Sequence, residues 1–75
     1  MSTIVLDAKG LKCPLPVLRA RKAMKDIVPG GLLQVLATDP GAVMDFAHFC
    51  KTTGHELVES KQEGDVYSFL IRKAA

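Results

Sequence analysis

The 75-residue sequence predicts an α/β fold, an α+β two-layer sandwich with two helices on one face of a four-stranded mixed sheet, in the order β-α-β-α-β-β. Three observations carry this reading. Short apolar runs alternate with stretches whose apolar residues recur every three or four positions. Two further runs flank a glycine-containing turn near the C-terminus, as in a hairpin. Right-handed crossovers then put both helices on the same side of the sheet. A chain of this length makes one domain, residues 1–75, and buries only about 60–65% of the surface its unfolded form exposes. Phe46, Phe49, Tyr67 and Phe69 are its only aromatics, so the core rests on aliphatic side chains.

Residues 3–7, TIVLD, are a short apolar strand, and 8–12 a loop bent at Gly10. A helix follows over Pro14–Ile27, with Val17, Ala20, Met24 and Ile27 on its apolar face and Arg19, Arg21, Lys22 and Lys25 on the other. Pro29 and the following glycines stop it. Leu32–Thr38 is a largely buried strand. Asp39 then caps a second helix, Pro40–Thr53, with Pro40 at its first position and Val43, Phe46, Ala47 and Cys50 as its apolar stripe. Gly54 ends it. Strands over 55–62 and 66–72 are joined by the turn Glu63-Gly64-Asp65. On the last strand Tyr67, Phe69 and Ile71 alternate with Val66, Ser68 and Leu70, so both sheet faces are fairly apolar and the open one is available to a partner.

Composition excludes several classes. The net charge of +2 is spread along the chain rather than gathered in a basic run, so no direct nucleic-acid partner is expected. No apolar run approaches the length of a membrane span. The segment MSTIVLDAKG lacks the basic lead and long apolar stretch of an export signal. Two cysteines are too few for the framework of a small secreted domain, which points to the reducing cytoplasm. The two cysteines and two histidines, at 13, 50, 48 and 55, lack the close cysteine spacing of a zinc site, so no metal or other cofactor is expected.

The chemistry gathers at KCPLP, residues 12–16. Cys13 is read at the N-cap of the first helix, with Pro14 at N1 and Pro16 at N3, where a missing N–H costs nothing. Leu15 is then the one free amide among the first three. A sulfur there faces the positive end of the helix, which lowers a thiol's pKa, and the thiolate is the nucleophile. Lys9, Lys12 and Arg19 add positive charge, while burial would act the other way. Capping alone is a weak reason for a cysteine, since Ser, Thr, Asp and Asn cap better.

Pro16 stands where a Cys-x-x-Cys motif has its second thiol, which disfavours dithiol oxidoreduction. No base lies nearby in sequence, because His48 and His55 belong to the second helix and the strand after it. A lone activated sulfur without a base suits a carrier, which takes a sulfur atom from a persulfide and hands it on. Cys50 sits on the apolar stripe near a helix C-terminus and reads as core.

These residues resemble the TusA (SirA-like) sulfur-carrier family from about Leu6 to Lys73, through the Cys-Pro-x-Pro element, the Asp39-Pro40 pair and the closing LIRK. The resemblance implies a βαβαββ sandwich similar to the C-terminal domain of a bacterial translation initiation factor. It implies that Cys13 accepts a persulfide sulfur from a cysteine desulfurase or another sulfurtransferase. The sulfur then passes to an acceptor protein, in one branch for tRNA 2-thiouridine and in others for sulfur metabolism. Pro14, Leu15 and Pro16 shape the motif, Asp39 matches the Asp-Pro position, and Arg21 and Lys22 match a basic pair assigned to partner docking. A monomer is expected. Two other readings stand beside it: a non-enzymatic RNA-binding or regulatory module of the same fold, and a redox switch pairing Cys13 with Cys50.

Overall fold

The computed structural model describes residues 3–74. Met1, Ser2 and Ala75 lie outside the described residues, and with them the two ends of the domain 1–75 and the first residues of the segment tested for an export signal. The elements are β1 (Thr3–Ala8), α1 (Leu15–Met24), β2 (Leu32–Ala37), α2 (Ala42–Thr53), β3 (Glu56–Glu63) and β4 (Val66–Arg72). The expected order and element types are those found.

The sheet runs β1-β2-β4-β3. β1 lies parallel to β2, with Ala8 opposite Ala37. β4 runs antiparallel to both β2 and β3. The mixed sheet follows from connection length: β1 reaches β2 through a helical crossover, whereas β3 and β4 need only a tight turn. Gly64, at φ 57°, supplies the left-handed residue of that turn. A bulge between Leu57 and Glu59 shifts the β3 register.

Alternation along the strands decides what is buried. Ala8 on β1, Leu33, Val35 and Ala37 on β2, and Phe69 and Ile71 on β4 are fully buried on the face that the helices cover. Phe46 of α2 stacks on Phe69 with ring centroids 4.6 Å apart, and Phe49 meets Phe46 edge-on at 6.3 Å. Ala20 and Met24 bring α1 into the same cluster. On the opposite face, Leu32, Leu36, Val66 and Leu70 stay half-buried, around a Gln34–Ser68 hydrogen bond of 3.0 Å.

The helix boundaries differ from those read in the sequence. The first helix ends at Met24 rather than Ile27. Residues 25–27 continue in tighter turns, where Lys25, Asp26 and Ile27 donate to the carbonyls three residues back. This satisfies terminal groups and still buries Ile27. The second helix begins at Ala42 rather than Pro40, because Ala42 and Val43 also bond three residues back, to Asp39 and Pro40.

The buried stripe of α2 is Ala42, Phe46, Phe49 and Cys50, not the expected Val43, Phe46, Ala47 and Cys50. Turning both Phe46 and Phe49 inward rotates the helix so that Val43 and Ala47 face solvent. Two buried rings outweigh a valine and an alanine, since an aromatic buries far more apolar surface. Gly54 closes the helix at φ 83°, its N–H on the Cys50 carbonyl at 3.0 Å.

Candidate functional site

Parallel pairing of β1 with β2 puts the C-terminal ends of both strands, and the loops leading into both helices, at one edge of the sheet. Open α/β sheets place their sites there. Two cross-loop bonds hold the edge together. The Gly10 N–H donates to Thr38 Oγ1 at 2.9 Å, and the Cys13 N–H donates to Asp39 Oδ2 at 2.6 Å. Asp39 Oδ1 also accepts the Gly41 N–H at 3.1 Å. Asp39 is thus a clamp between the two loops rather than the N-cap of α2, which is Gly41. Its two backbone donors, Cys13 first and Gly41 second, hold its carboxyl below the usual carboxylate range, with Lys12 adding to the effect.

Cys13 is exposed and Cys50 buried, and both are free thiols. Cys13 does not cap α1. Pro14 occupies the N-cap, Leu15 is the first helical residue, and the Cys13–Pro14 peptide is cis. Pro16 is therefore at N2 rather than N3, and it is buried. Leu15 does not offer a free amide either, because its N–H donates to the Lys12 carbonyl at 2.8 Å.

The electrostatics reverse the expectation of a lowered thiol pKa. Cys13 Sγ donates its S–H to Asp45 Oδ2 at 2.5 Å. That bond, then desolvation, then the charges of Asp45 and Asp39, all push the Cys13 thiol upward. A helix end acts as about half a charge and fades within one turn, whereas two full carboxylate charges stand beside the sulfur. The expected support from Lys9, Lys12 and Arg19 is not among the causes acting on the thiol. The charge of Lys12 acts on Asp39 instead. All three cationic side chains are exposed.

Arg21 and Lys22 do not form a pair. Successive helical residues point about 100° apart. Arg21 lies over the Phe49 ring, its guanidinium carbon 5.5 Å from the centroid, in a hollow shared with His55 and Lys73. Lys22 joins Arg19, Leu6, Leu15 and Leu18 in a groove of about 670 Å³ between α1 and β1. Cys50 is core, its thiol raised by burial. His48 is exposed, and neither histidine is hydrogen-bonded to Cys13. Among the described residues no group of three His, Cys, Asp or Glu side chains converges as metal ligands. No described helix is long and apolar enough to cross a membrane.

Sequence reading missed Asp45. Its one trace in the sequence is a carboxylate in the first turn of the second helix, which reads as ordinary helix-end charge. Only the parallel β1–β2 register carries it to a cysteine 32 residues away.

Comparison with known proteins places these features in a wider set. The family model described as sulfurtransferase TusA matches residues 4–73. A protein named sulfur carrier protein TusA from Allochromatium vinosum is 56% identical over 69 residues, covering 92% of this chain and 91% of that protein. A protein of the same name from Pseudomonas aeruginosa is 49% identical over 71 residues, covering 95% and 90%. The crystal structure of a SirA-like protein from Desulfitobacterium hafniense superposes with a TM-score of 0.82 at 26% identity, over 96% of this chain and 99% of that one.

Proposed function

The chain belongs to the TusA sulfurtransferase family, and from that premise we propose that it is a sulfur carrier whose Cys13 holds one sulfur atom as a persulfide between two proteins. The observation that supports this reading most is the placement of the two thiols. Cys13 is exposed at the sheet edge where both helices begin, and Cys50 is buried in the core. A cysteine desulfurase or another sulfurtransferase is the donor. A second protein accepts the sulfur, for tRNA 2-thiouridine synthesis or for another branch of sulfur metabolism. The work is that of a one-domain relay, residues 1–75, more than of a multiple-turnover catalyst.

Each transfer is a thiol–persulfide exchange. The Cys13 thiol gives its proton to solvent, and its sulfur attacks the terminal sulfur of the donor persulfide. A new S–S bond forms, the donor's S–S bond breaks, and the donor cysteine leaves as a thiolate that is reprotonated. No electrons are gained or lost overall. The reducing cytoplasm keeps both cysteines in the thiol form this exchange needs.

Pro14 and Pro16 fix the chain beside the sulfur, and Asp39 holds the Cys13 amide. Exposed Leu15 and Leu18, with Arg19 and Lys22 in the same groove, offer the partner contact. Lys9 and Lys12 border the same loop edge. Arg21 faces the hollow beside Phe49 and would serve a partner that reaches that side.

The test is transfer of labelled sulfur. With a cysteine desulfurase and labelled cysteine, the wild-type protein takes up label and Cys13→Ser takes up none while keeping its circular-dichroism spectrum. Equal labelling of the two proteins would overturn the assignment.

A further inference from the structure

Asp45 has no part in the carrier reading, yet it touches the reacting atom. It is half-buried in the first turn of α2, and its Oδ2 accepts the Cys13 S–H. Among the described residues neither Asp45 nor Asp39 forms an ion pair. The groups facing the sulfur are therefore few. Asp45 approaches from α2 and Asp39 from the β2–α2 loop, with the Lys12 charge acting on Asp39, while the amino end of α1 begins one residue beyond Pro14.

Loading changes what Asp45 meets. The empty carrier presents Sγ–H, a donor. The loaded carrier presents Sγ bonded to Cβ and to the terminal sulfur, with no hydrogen left on Sγ. The terminal sulfur of a persulfide is more acidic than a thiol and carries negative charge at neutral pH. Asp45 then loses its donor and gains a like charge about 2 Å beyond Sγ along the new S–S bond. A group that binds one of two states shifts the balance toward that state.

We propose that Asp45, in contact with the sulfur, favours the empty carrier over the loaded one, and so drives the sulfur from Cys13 onward to the acceptor. The inference rests on Cys13 as the sulfur-bearing residue. In the release step the acceptor thiolate attacks the terminal sulfur, and the acceptor S–S bond forms. The bond from Cys13 Sγ breaks with its electron pair left on Sγ. That thiolate takes a proton from solvent and donates it to Asp45 as S–H. The sulfur moves with no net oxidation or reduction. The upward push on the Cys13 thiol agrees with this, because a sulfur that holds its proton firmly is a settled end point of release.

Two readouts test the inference on the full chain, using wild type, Asp45→Asn and Asp45→Ala. In the first, each protein is equilibrated near neutral pH with fixed amounts of glutathione persulfide and glutathione, and the loaded-to-empty ratio is read by intact mass. Both variants should show a ratio higher by about threefold or more, the scale of one exposed charged contact. In the second, iodoacetamide labelling of the Cys13 peptide is followed against pH, and both variants should label with a midpoint at lower pH than wild type. Unchanged or lower ratios overturn the inference and leave the carrier reading standing, as does an unshifted labelling midpoint. Absence of loading in all three proteins overturns the carrier reading itself, and this inference with it.

Discussion

At the scale of the residue, an exposed sulfur and a reactive sulfur are different things here. Cys13 is accessible, but Asp45 and Asp39 oppose its ionisation. The free protein therefore holds a guarded thiol. Asp39 contributes differently, through two backbone amides that favour its ionised form. A carboxyl whose folded pKa is depressed adds stability above its unfolded pKa and loses it as pH falls through the folded value. Asp39→Ala should accordingly lower the thermal midpoint near neutral pH, and the gap from wild type should close as the solution is acidified below the usual carboxylate range. A gap that persists unchanged in acid would contradict the two-amide clamp. Cys13 and its prolines were legible because they are neighbours in the chain. Asp45 was not, because a contact spanning 32 residues has no local pattern.

At the scale of the element, the helices show how packing overrides periodicity. A three-and-four spacing marked the second helix correctly, yet two spacings fitted it, and the buried rings of Phe46 and Phe49 selected the one that exposes Val43 and Ala47. The helix ends shifted because tighter turns at 25–27 and 39–43 satisfy terminal amides without continuing the helix. β4 was read accurately, since its alternation puts Phe69 and Ile71 inward whichever strand lies beside it. Ile71 is fully buried, so Ile71→Val should cost about 1 kcal/mol in urea unfolding. A cost near zero would mean that the site is looser than it looks.

His55, between α2 and β3, accepts the Ala74 N–H on Nδ1 at 2.9 Å and so ties the chain's C-terminal end to the start of the hairpin. Desolvation first, and the Lys73 charge second, hold its imidazole below the ordinary histidine range. Its folded pKa is lowered, so the unfolded chain binds the proton more readily. The stability this provides is present above the ordinary histidine pKa and is lost as pH falls through the folded value. Proton NMR of the His55 imidazole should give a midpoint below the ordinary histidine value of about 6.5. A midpoint above it would reverse the sign.

At the scale of the whole molecule, one topological fact builds the site. The parallel pair β1–β2 sits beside an antiparallel hairpin, so both loops that lead into helices emerge at the same edge, where Cys13 meets Asp39 of the second loop and Asp45 of the first turn of α2. The fold class was legible because each part carries its own period: alternation for strands, three-and-four spacing for helices, glycine for turns. The charge balance at the edge was not. Lysines adjacent to Cys13 in sequence are not among the charges acting on its thiol, and the fold gives that place to acids from α2 and the loop before it. The groove beside α1, with Arg19 and Lys22 among leucines, and the hollow with Arg21 are likewise products of the helix's rotation, which separates adjacent cations onto different sides.

The proposal that the exposed thiol, and not the buried one, carries the sulfur is open to direct test. Peptide mapping after loading by a desulfurase with cysteine decides it most directly. One added sulfur, about 32 Da, is expected on the peptide containing residue 13 and none on the peptide containing residue 50. An added sulfur on Cys50, or none on either peptide with several competent donors, would contradict it.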